Sequence, residues 1–434
     1  MNYEKWREVS LKDITTDGKG SYGIGAAATD YSETLYRYLR ITDISDDGEL
    51  LSNGKKSVDD KKAGQYLLEP NDIVFARTGN STGRSYFYEG TEEKMVYAGF
   101  LIKFSLDPSK VNPKYMKYYT KSKNYKNWVN SYKSGSTRSN INAKTYEDML
   151  IELPPRSIQN SLVKILSVLD EKIEINNQIN ETLENMAQEL FKRWFVNFEF
   201  PNENGEPYKS SGGEMIESEL GLIPKRWRVG GFEDLGKIIS GGTPSKSNEE
   251  YFTKSGIAWI TPKDLSNNRN KFVKNGATDI TEMGLKNSSA KLMPKGSVLY
   301  SSRAPIGYIA IADNEVSTNQ GFKSIVPHEN ISSEFVFQML KNNTDKIIGQ
   351  ASGSTFKEIS GKGMKSIKII IPEYDVLDAY SKLVSPFLKM IRNNENSTLR
   401  LKNLRDTLLP KLMSGEIRVP LEDLEESLAE VKGG

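Results

Sequence analysis

Arginine, asparagine, glutamine and small hydroxylated residues gather in a few short segments of this chain. One runs Arg77-Thr78-Gly79-Asn80-Ser81-Thr82-Gly83-Arg84, and another leads from Lys133 through Ser136, Thr137 and Arg138 to Asn140. Further along stand Ser301-Ser302-Arg303, Asn319-Gln320-Gly321-Phe322-Lys323 and Ser354-Thr355-Phe356-Lys357. Side chains of these types suit the reading of nucleic-acid base edges, Arg against guanine and Asn or Gln against adenine, while lysines mostly hold phosphate. Two alternatives stay open. The segments containing Ser136-Thr137 and Ser354-Thr355 also read as turns that cap the next element. Arg77 and Arg303 each follow an expected strand, where a structural ion pair would occupy them equally well.

A basic run strengthens the first reading. From Pro108 to Tyr146 no acidic residue occurs, against nine basic ones that include Lys117, Lys121, Lys126 and Lys133. Lysines at this density neutralise phosphates by releasing counterions. Tyr115, Tyr118, Tyr125, Val129 and Tyr132 keep a seven-residue period through the same run, so they are expected to form the core stripe of an amphipathic helix with the lysines outward.

Catalytic chemistry is poorly provided for. Without cysteine there is no thiolate nucleophile, disulfide or Cys-based zinc site, and His328 is the single histidine. Gly231-Phe232-Glu233-Asp234-Leu235-Gly236-Lys237 has the spacing of a phosphate-binding loop, but Ile238 stands where the magnesium-binding hydroxyl belongs. Asn112-Pro113-Lys114-Tyr115 is like the loop with which amino-methyltransferases hold a flipped base. Lys114 replaces its second proline, and no glycine-rich cofactor loop precedes it. No carboxylates fall in a metal-ligand spacing. The expectation is a chain that binds no cofactor and no metal.

The elements that position these residues come twice. Ser134-Gly135-Ser136-Thr137 reappears as Ser352-Gly353-Ser354-Thr355, and the offset of about 218 positions carries on to map Asn176 onto Asn394, Leu183 onto Leu401 and Leu190 onto Leu408. That period is too long for a solenoid repeat. It implies a duplicated domain plus helix, hence a pseudo-two-fold molecule suited to a target with two sites. Short β-branched runs separated by Gly and Asn turns fill 1–155 and 223–372, each followed by a heptad helix, 156–195 and 373–415. Pro410 is expected to end the second helix. Ile158, Leu162, Ile165 and Leu169 resume as Ile179, Leu183, Met186 and Leu190. Val376, Tyr380, Leu383, Phe387, Met390, Leu401, Leu404 and Leu408 answer them in the second helix. A seam one stripe wide requires a covering helix. Asn176 and Asn394 interrupt the two seams at matching places, either facing each other or lying in solvent. A Pro/Gly/Ser-rich linker is expected over 196–222 and an acidic tail over 416–434. With no signal peptide and no long apolar run, the expectation is a cytoplasmic protein without membrane contact.

The exit of the second helix, Leu404-Arg405-Asp406-Thr407-Leu408-Leu409-Pro410-Lys411-Leu412-Met413-Ser414-Gly415-Glu416-Ile417, resembles the C-terminal signature of the specificity subunit of type I restriction–modification enzymes. Phe195-Val196-Asn197-Phe198-Glu199-Phe200-Pro201 and the repeated Ser-Gly-Ser-Thr segments resemble that family too. The likeness covers essentially the whole chain. It implies an α/β protein with two target-recognition domains joined by two long antiparallel coiled-coil helices, each domain reading one half of a bipartite double-stranded DNA site. It implies a non-catalytic chain that carries two methyltransferase subunits, which use S-adenosylmethionine, and restriction subunits, which use ATP and Mg. The rival readings are a coiled-coil scaffold that binds no DNA, against which the basic run speaks, and a self-contained methyltransferase, against which the missing cofactor loop speaks.

Overall fold

The computed structural model describes residues 6–51, 54–90, 93–133, 140–268, 270–303, 305–353 and 357–419. Ser136, Thr137, Arg138, Ser354 and Thr355 lie outside them, as does the acidic tail beyond Val419. The chain divides into two compact units, one of Met1–Lys172 with Arg400–Gly434 and one of Ile173–Leu399. Each boundary falls inside a long helix, so each unit owns part of both helices.

The first unit holds a four-stranded sheet ordered Ser21–Tyr22, Leu101–Ser105, Asp72–Ala76, Ser85–Tyr88, all antiparallel. Asp72–Ala76 is buried on both faces, which its unbroken Ile73-Val74-Phe75-Ala76 run anticipates. A second sheet is ordered Thr29–Asp30, Lys56–Val58, Tyr36–Leu39, Met95–Tyr97. Arg7–Ser10 pairs with Leu150–Leu153 and closes the unit where it meets the first long helix. The second unit repeats the plan. Its main sheet is ordered Gly236–Ser240, Lys323–Pro327, Val298–Ser302, Ile306–Ala312, Phe272–Val273, and Arg228–Gly231 pairs with Lys368–Ile371 as the closing ribbon. The duplication therefore reaches topology as well as sequence.

The first long helix runs Arg156–Phe191 and ends in a π-helical turn, Lys192–Val196. The second runs Tyr374–Met413, through Pro386 and through Pro410. Pro410 thus does not end it. A proline removes one hydrogen bond and crowds the preceding turn, but Leu409, Leu412 and Met413 are buried in the first unit's core and hold the last turn in helical register.

Both units show the helices pairing antiparallel. In the second, Asn176 donates to Thr398 Oγ1 at 3.3 Å, Asn394 donates to Asn180 Oδ1 at 2.9 Å, and the Tyr380 hydroxyl donates to the Ala187 carbonyl. In the first, Arg405 donates to Asp170 at 2.9 Å. Asn176 and Asn394 do not face each other. Asn394 is the repeat counterpart of Asn176 and Thr398 that of Asn180, so the two asparagine hydrogen bonds are one contact made twice. Asn176 is buried and satisfied rather than solvated.

The seam also differs from the heptad reading. Leu183, Leu190 and Leu408 pack half-buried against their cores, and Leu401 is half-buried. Leu162 and Tyr380 are buried as expected, but the rest of the buried stripe is Leu166, Ile173, Asn176, Ala187 and Phe191 on one helix and Val384, Ile391 and Leu409 on the other. Ile179, Met186, Leu383, Met390 and Leu404, expected in the seam, are exposed.

The stretch 196–222 is an ordered element rather than a flexible linker. Phe200 is stacked between Tyr208 and Trp227, and Phe198 meets Trp227 edge-on at 5.5 Å. Phe198 adopts a left-handed backbone with φ of 61°, a conformation costly for an aromatic residue and kept here by its burial. Met215–Ser218 and Gly221–Pro224 then form a hairpin. Gly and Ser here supply turns, while the aromatics between them build core. No helix among the described residues is long and apolar enough to cross a membrane.

Candidate nucleic-acid interface

In the first unit Asn140 meets the Arg77 segment at the end of strand Asp72–Ala76. Arg77 Nε donates to Asn140 Oδ1 at 3.3 Å, and its guanidinium lies 5.0 Å from the centre of the Tyr22 ring. Thr78 forms a bridge with Asn140. The turn Gly79–Ser81 follows at once, its Asn80 exposed. Phe100, whose carbonyl accepts from the Arg77 backbone N–H, is 59% exposed. Helix Lys123–Lys133 is seated beneath this turn, with the Tyr125 hydroxyl donating to the Gly83 carbonyl at 2.8 Å. Gly83 has a positive φ and lies so close to Val129 that a Cβ could not fit.

The basic run is two helices, Pro113–Tyr119 and Lys123–Lys133, with buried Ser122 between them. Tyr115, Tyr118, Tyr125 and Val129 are buried as expected, whereas Tyr132 is exposed. The lysines divide accordingly. Lys117 pairs with Glu89 at 2.7 Å and approaches Asp170 on the long helix, and Lys121 pairs with Glu49 at 3.1 Å. Burial by itself would lower the Lys117 pKa, but the Glu89 carboxylate outweighs it and holds the ammonium above its ordinary value. These two lysines brace the fold and do not form an open phosphate face. Arg84 is similarly engaged, with Asp46 at 2.7 Å and the Ile44 carbonyl at 3.0 Å. Lys123, Lys126 and Lys133 are exposed and form no ion pair among the described residues.

In the second unit the counterpart site lies at the end of strand Val298–Ser302. Arg303 pairs with Glu358 at 3.5 Å and Lys323 with the same carboxylate at 3.7 Å. Burial lowers the Lys323 pKa, and Glu358 opposes that shift. Gln320 accepts a hydrogen bond from the Thr243 hydroxyl, which brings the Gly241-Gly242-Thr243 turn to the same place. Lys357 is exposed beside Glu358. Ser302 does not belong to this surface. It is fully buried, its backbone tied to Gly321 and Ile359.

Three participants escaped the sequence reading: Tyr22, Thr243 and Glu358. Glu358 was the most accessible of them, since it stands about 218 positions after Asn140 and inherits its place beside an arginine. Tyr22 and Thr243 enter through strand pairing that no local pattern announces.

Residues 3–185 and 224–403 match the family described as the type I restriction modification DNA specificity domain. The chain belongs to that family. Each matched segment takes in one sheet-containing region and most of one long helix. Among its relatives is the MjaIX type I restriction enzyme specificity subunit of Methanocaldococcus jannaschii, 37% identical over 193 residues, a match spanning 44% of each chain. The HindI specificity subunit of Haemophilus influenzae is 25% identical over 470 residues, covering 95% of this chain and 99% of that one. A crystal structure of a type I restriction–modification S subunit from M. genitalium shares the fold, with a TM-score of 0.54 at 15% identity and coverage of 95% and 96%. The specificity subunit is the non-catalytic member of such systems.

Proposed function

We propose that this chain reads a bipartite, asymmetric double-stranded DNA site for a type I restriction–modification complex, one half-site per unit. The observation that carries the reading is the recurrence of one constellation in both units. An arginine follows the same central strand in each, one position further along in the second unit, is held by the residue at the same place in the repeat, and is flanked by amide and hydroxyl donors. Arg77, Thr78, Asn80 and Asn140 form the first reading surface, with Lys126 and Lys133 beside it for phosphate. Arg303, Gln320, Lys323 and Lys357 form the second.

The long helices carry the second part of the proposal. Val168, Ile175, Ile179 and Met186 on one, and Leu383, Met390 and Leu404 on the other, keep heptad spacing and remain exposed although the helices already cover each other. Exposed apolar rows of this kind mark association surfaces. They are the proposed docking sites for two methyltransferase subunits, which bring S-adenosylmethionine. The restriction subunits join the same assembly with ATP and Mg, and the site of action is the cytoplasm.

The 36-residue first helix is about 54 Å long at about 1.5 Å per residue. As a ruler it suits half-sites about one DNA turn apart, leaving an unread gap of roughly five to eight base pairs. Methylome sequencing of the host with and without the gene tests the whole reading. The expected result is loss of one two-part adenine-methylation motif with such a gap. Loss of a continuous motif, or of none, overturns it.

A further inference from the structure

Asn140 and Glu358 occupy one place in the repeat with two different chemistries. Each closes a bridge against the segment that carries the arginine, Asn140 with Thr78 and Glu358 with Arg303. In each unit the next residue returns a backbone hydrogen bond to that segment, Ile141 to Arg77 at 2.9 Å and Ile359 to Ser302 at 3.0 Å. The backbone frame is thus shared, with Ser302 at the place of Arg77 and Arg303 at that of Thr78, so the two arginines stand one position apart in it and the residues that hold them differ in chemistry. In the first unit a neutral amide steadies Arg77. In the second a carboxylate stands between two cations, Arg303 and Lys323.

Glu358 is well placed to hold them. Its backbone exchanges two further hydrogen bonds with Ser352, at 2.9 and 3.1 Å, so the residue is anchored on both sides. Its side chain is 39% exposed and Lys323 only 10%. A phosphate that approached Arg303 would have to displace this carboxylate and would meet its like charge. A guanine edge would not. Glu358 takes the guanidinium through Nη1 alone, and a guanidinium has five donors. Among the described residues no other group takes its remaining donors, which leaves that fork for the O6 and N7 of guanine.

We propose that Glu358 is a specificity-determining residue of the second unit: by holding Arg303 and Lys323 in an ion-paired state it suppresses their grip on random phosphate and leaves only base-edge recognition open. Selectivity is then gained by penalising the wrong partner as well as favouring the right one. The inference rests on the DNA-reading function proposed above.

The test uses the full chain assembled with its methyltransferase subunits. Binding is measured against duplexes with the intact motif, a scrambled first half-site or a scrambled second half-site, across a salt series. For Glu358→Gln the expected result is roughly tenfold tighter binding to the duplex scrambled in its second half, with a salt slope steeper by about one to two units as the two cations are freed for phosphate. Binding to the intact motif should change little, and discrimination at the first half-site should not change. The reciprocal variant, Asn140→Glu, should weaken binding to the duplex scrambled in its first half and sharpen discrimination there. It also decides the matter if Glu358→Gln does not fold. Unchanged discrimination in the variant that folds, or an equal loss on every duplex, overturns the inference. If the wild-type assembly does not distinguish the intact motif from scrambled DNA, the DNA-reading function itself fails, a result recognisable before any variant is made.

Discussion

Lys117 and Lys126 look interchangeable in the sequence, two lysines in one acid-free run. The fold separates them because the acids that matter come from elsewhere. Glu89, Glu49 and Asp170 arrive through strand pairing and the long helix, and they claim Lys117 and Lys121. Charge density along a segment is legible in sequence, whereas the partner of each charge depends on tertiary structure. Two predictions separate these roles. Lys117→Gln leaves the partly buried Glu89 with one partner fewer, and should lower stability by about 1 kcal/mol in urea unfolding without altering the salt dependence of DNA binding. Changing Lys123, Lys126 and Lys133 together to Gln should do the reverse. Stability should stay within about 0.5 kcal/mol, and the salt slope should flatten by about 0.9 for each phosphate left without its lysine. A flattened slope in the Lys117 variant, or an unchanged one in the triple variant, would reverse the assignment.

At the scale of elements, the duplication, both long helices and the strand runs were readable because they depend on periodicity and on repeated residues. The face each helix buries was legible only in part, at Leu162 and Tyr380. A strict seven-residue frame drifts about 20° per heptad against a straight helix, and each of these helices packs on its neighbour and on a domain core together. The buried stripe is consequently wide, shifted, and partly polar. Glu395 belongs to it. Its carboxylate accepts the backbone N–H groups of Lys271 at 2.6 Å and Phe272 at 3.2 Å, which pins strand Phe272–Val273 to the second long helix. Burial pushes its pKa up to about 7 from an ordinary 4.5, against the two hydrogen bonds, and Glu184 adds to the shift while Lys271 opposes it. Lys271 is itself paired with the equally buried Glu334 at 3.0 Å. For a carboxyl raised in the folded state, the folded form holds the proton over a range where the unfolded form has lost it. The contribution is therefore full below about pH 4.5 and lost as pH rises through about 7, a change of at most about 3 kcal/mol. Urea midpoints should fall between pH 5 and pH 8, and Glu395→Gln should remove a measurable part of that fall. Parallel pH profiles for the two proteins would show that Glu395 does not titrate in this window.

For the whole molecule, each unit's core is completed by chain from the far end of a long helix. The first unit receives Leu409, Leu412 and Met413 together with Val419. The corresponding residues of the first helix, about 218 positions earlier, are Phe191, Trp194 and Phe195, and they complete the second unit's core. A fragment ending near Gly205 carries the first recognition surface and the first helix but lacks 400–419, so its core is open. A second copy can close it, because the hydrogen bonds between the helices already obey the repeat. Asn176 with Thr398 and Asn180 with Asn394 become Asn176 with Asn180 of the other copy, made twice. Such a dimer has two identical readers, so with the methyltransferase subunits it should modify an inverted repeat of the first half-site. The fit is imperfect in one respect. Two phenylalanines and a tryptophan must enter places shaped for two leucines and a methionine, and overpacking of this kind costs about 1–3 kcal/mol. The fragment carrying Phe191→Leu, Trp194→Leu and Phe195→Met should therefore dimerise at least about tenfold more tightly than the unaltered fragment, as measured by sedimentation equilibrium. A fragment that remains monomeric with and without these changes would mean that the halves, though built on one plan, do not replace each other.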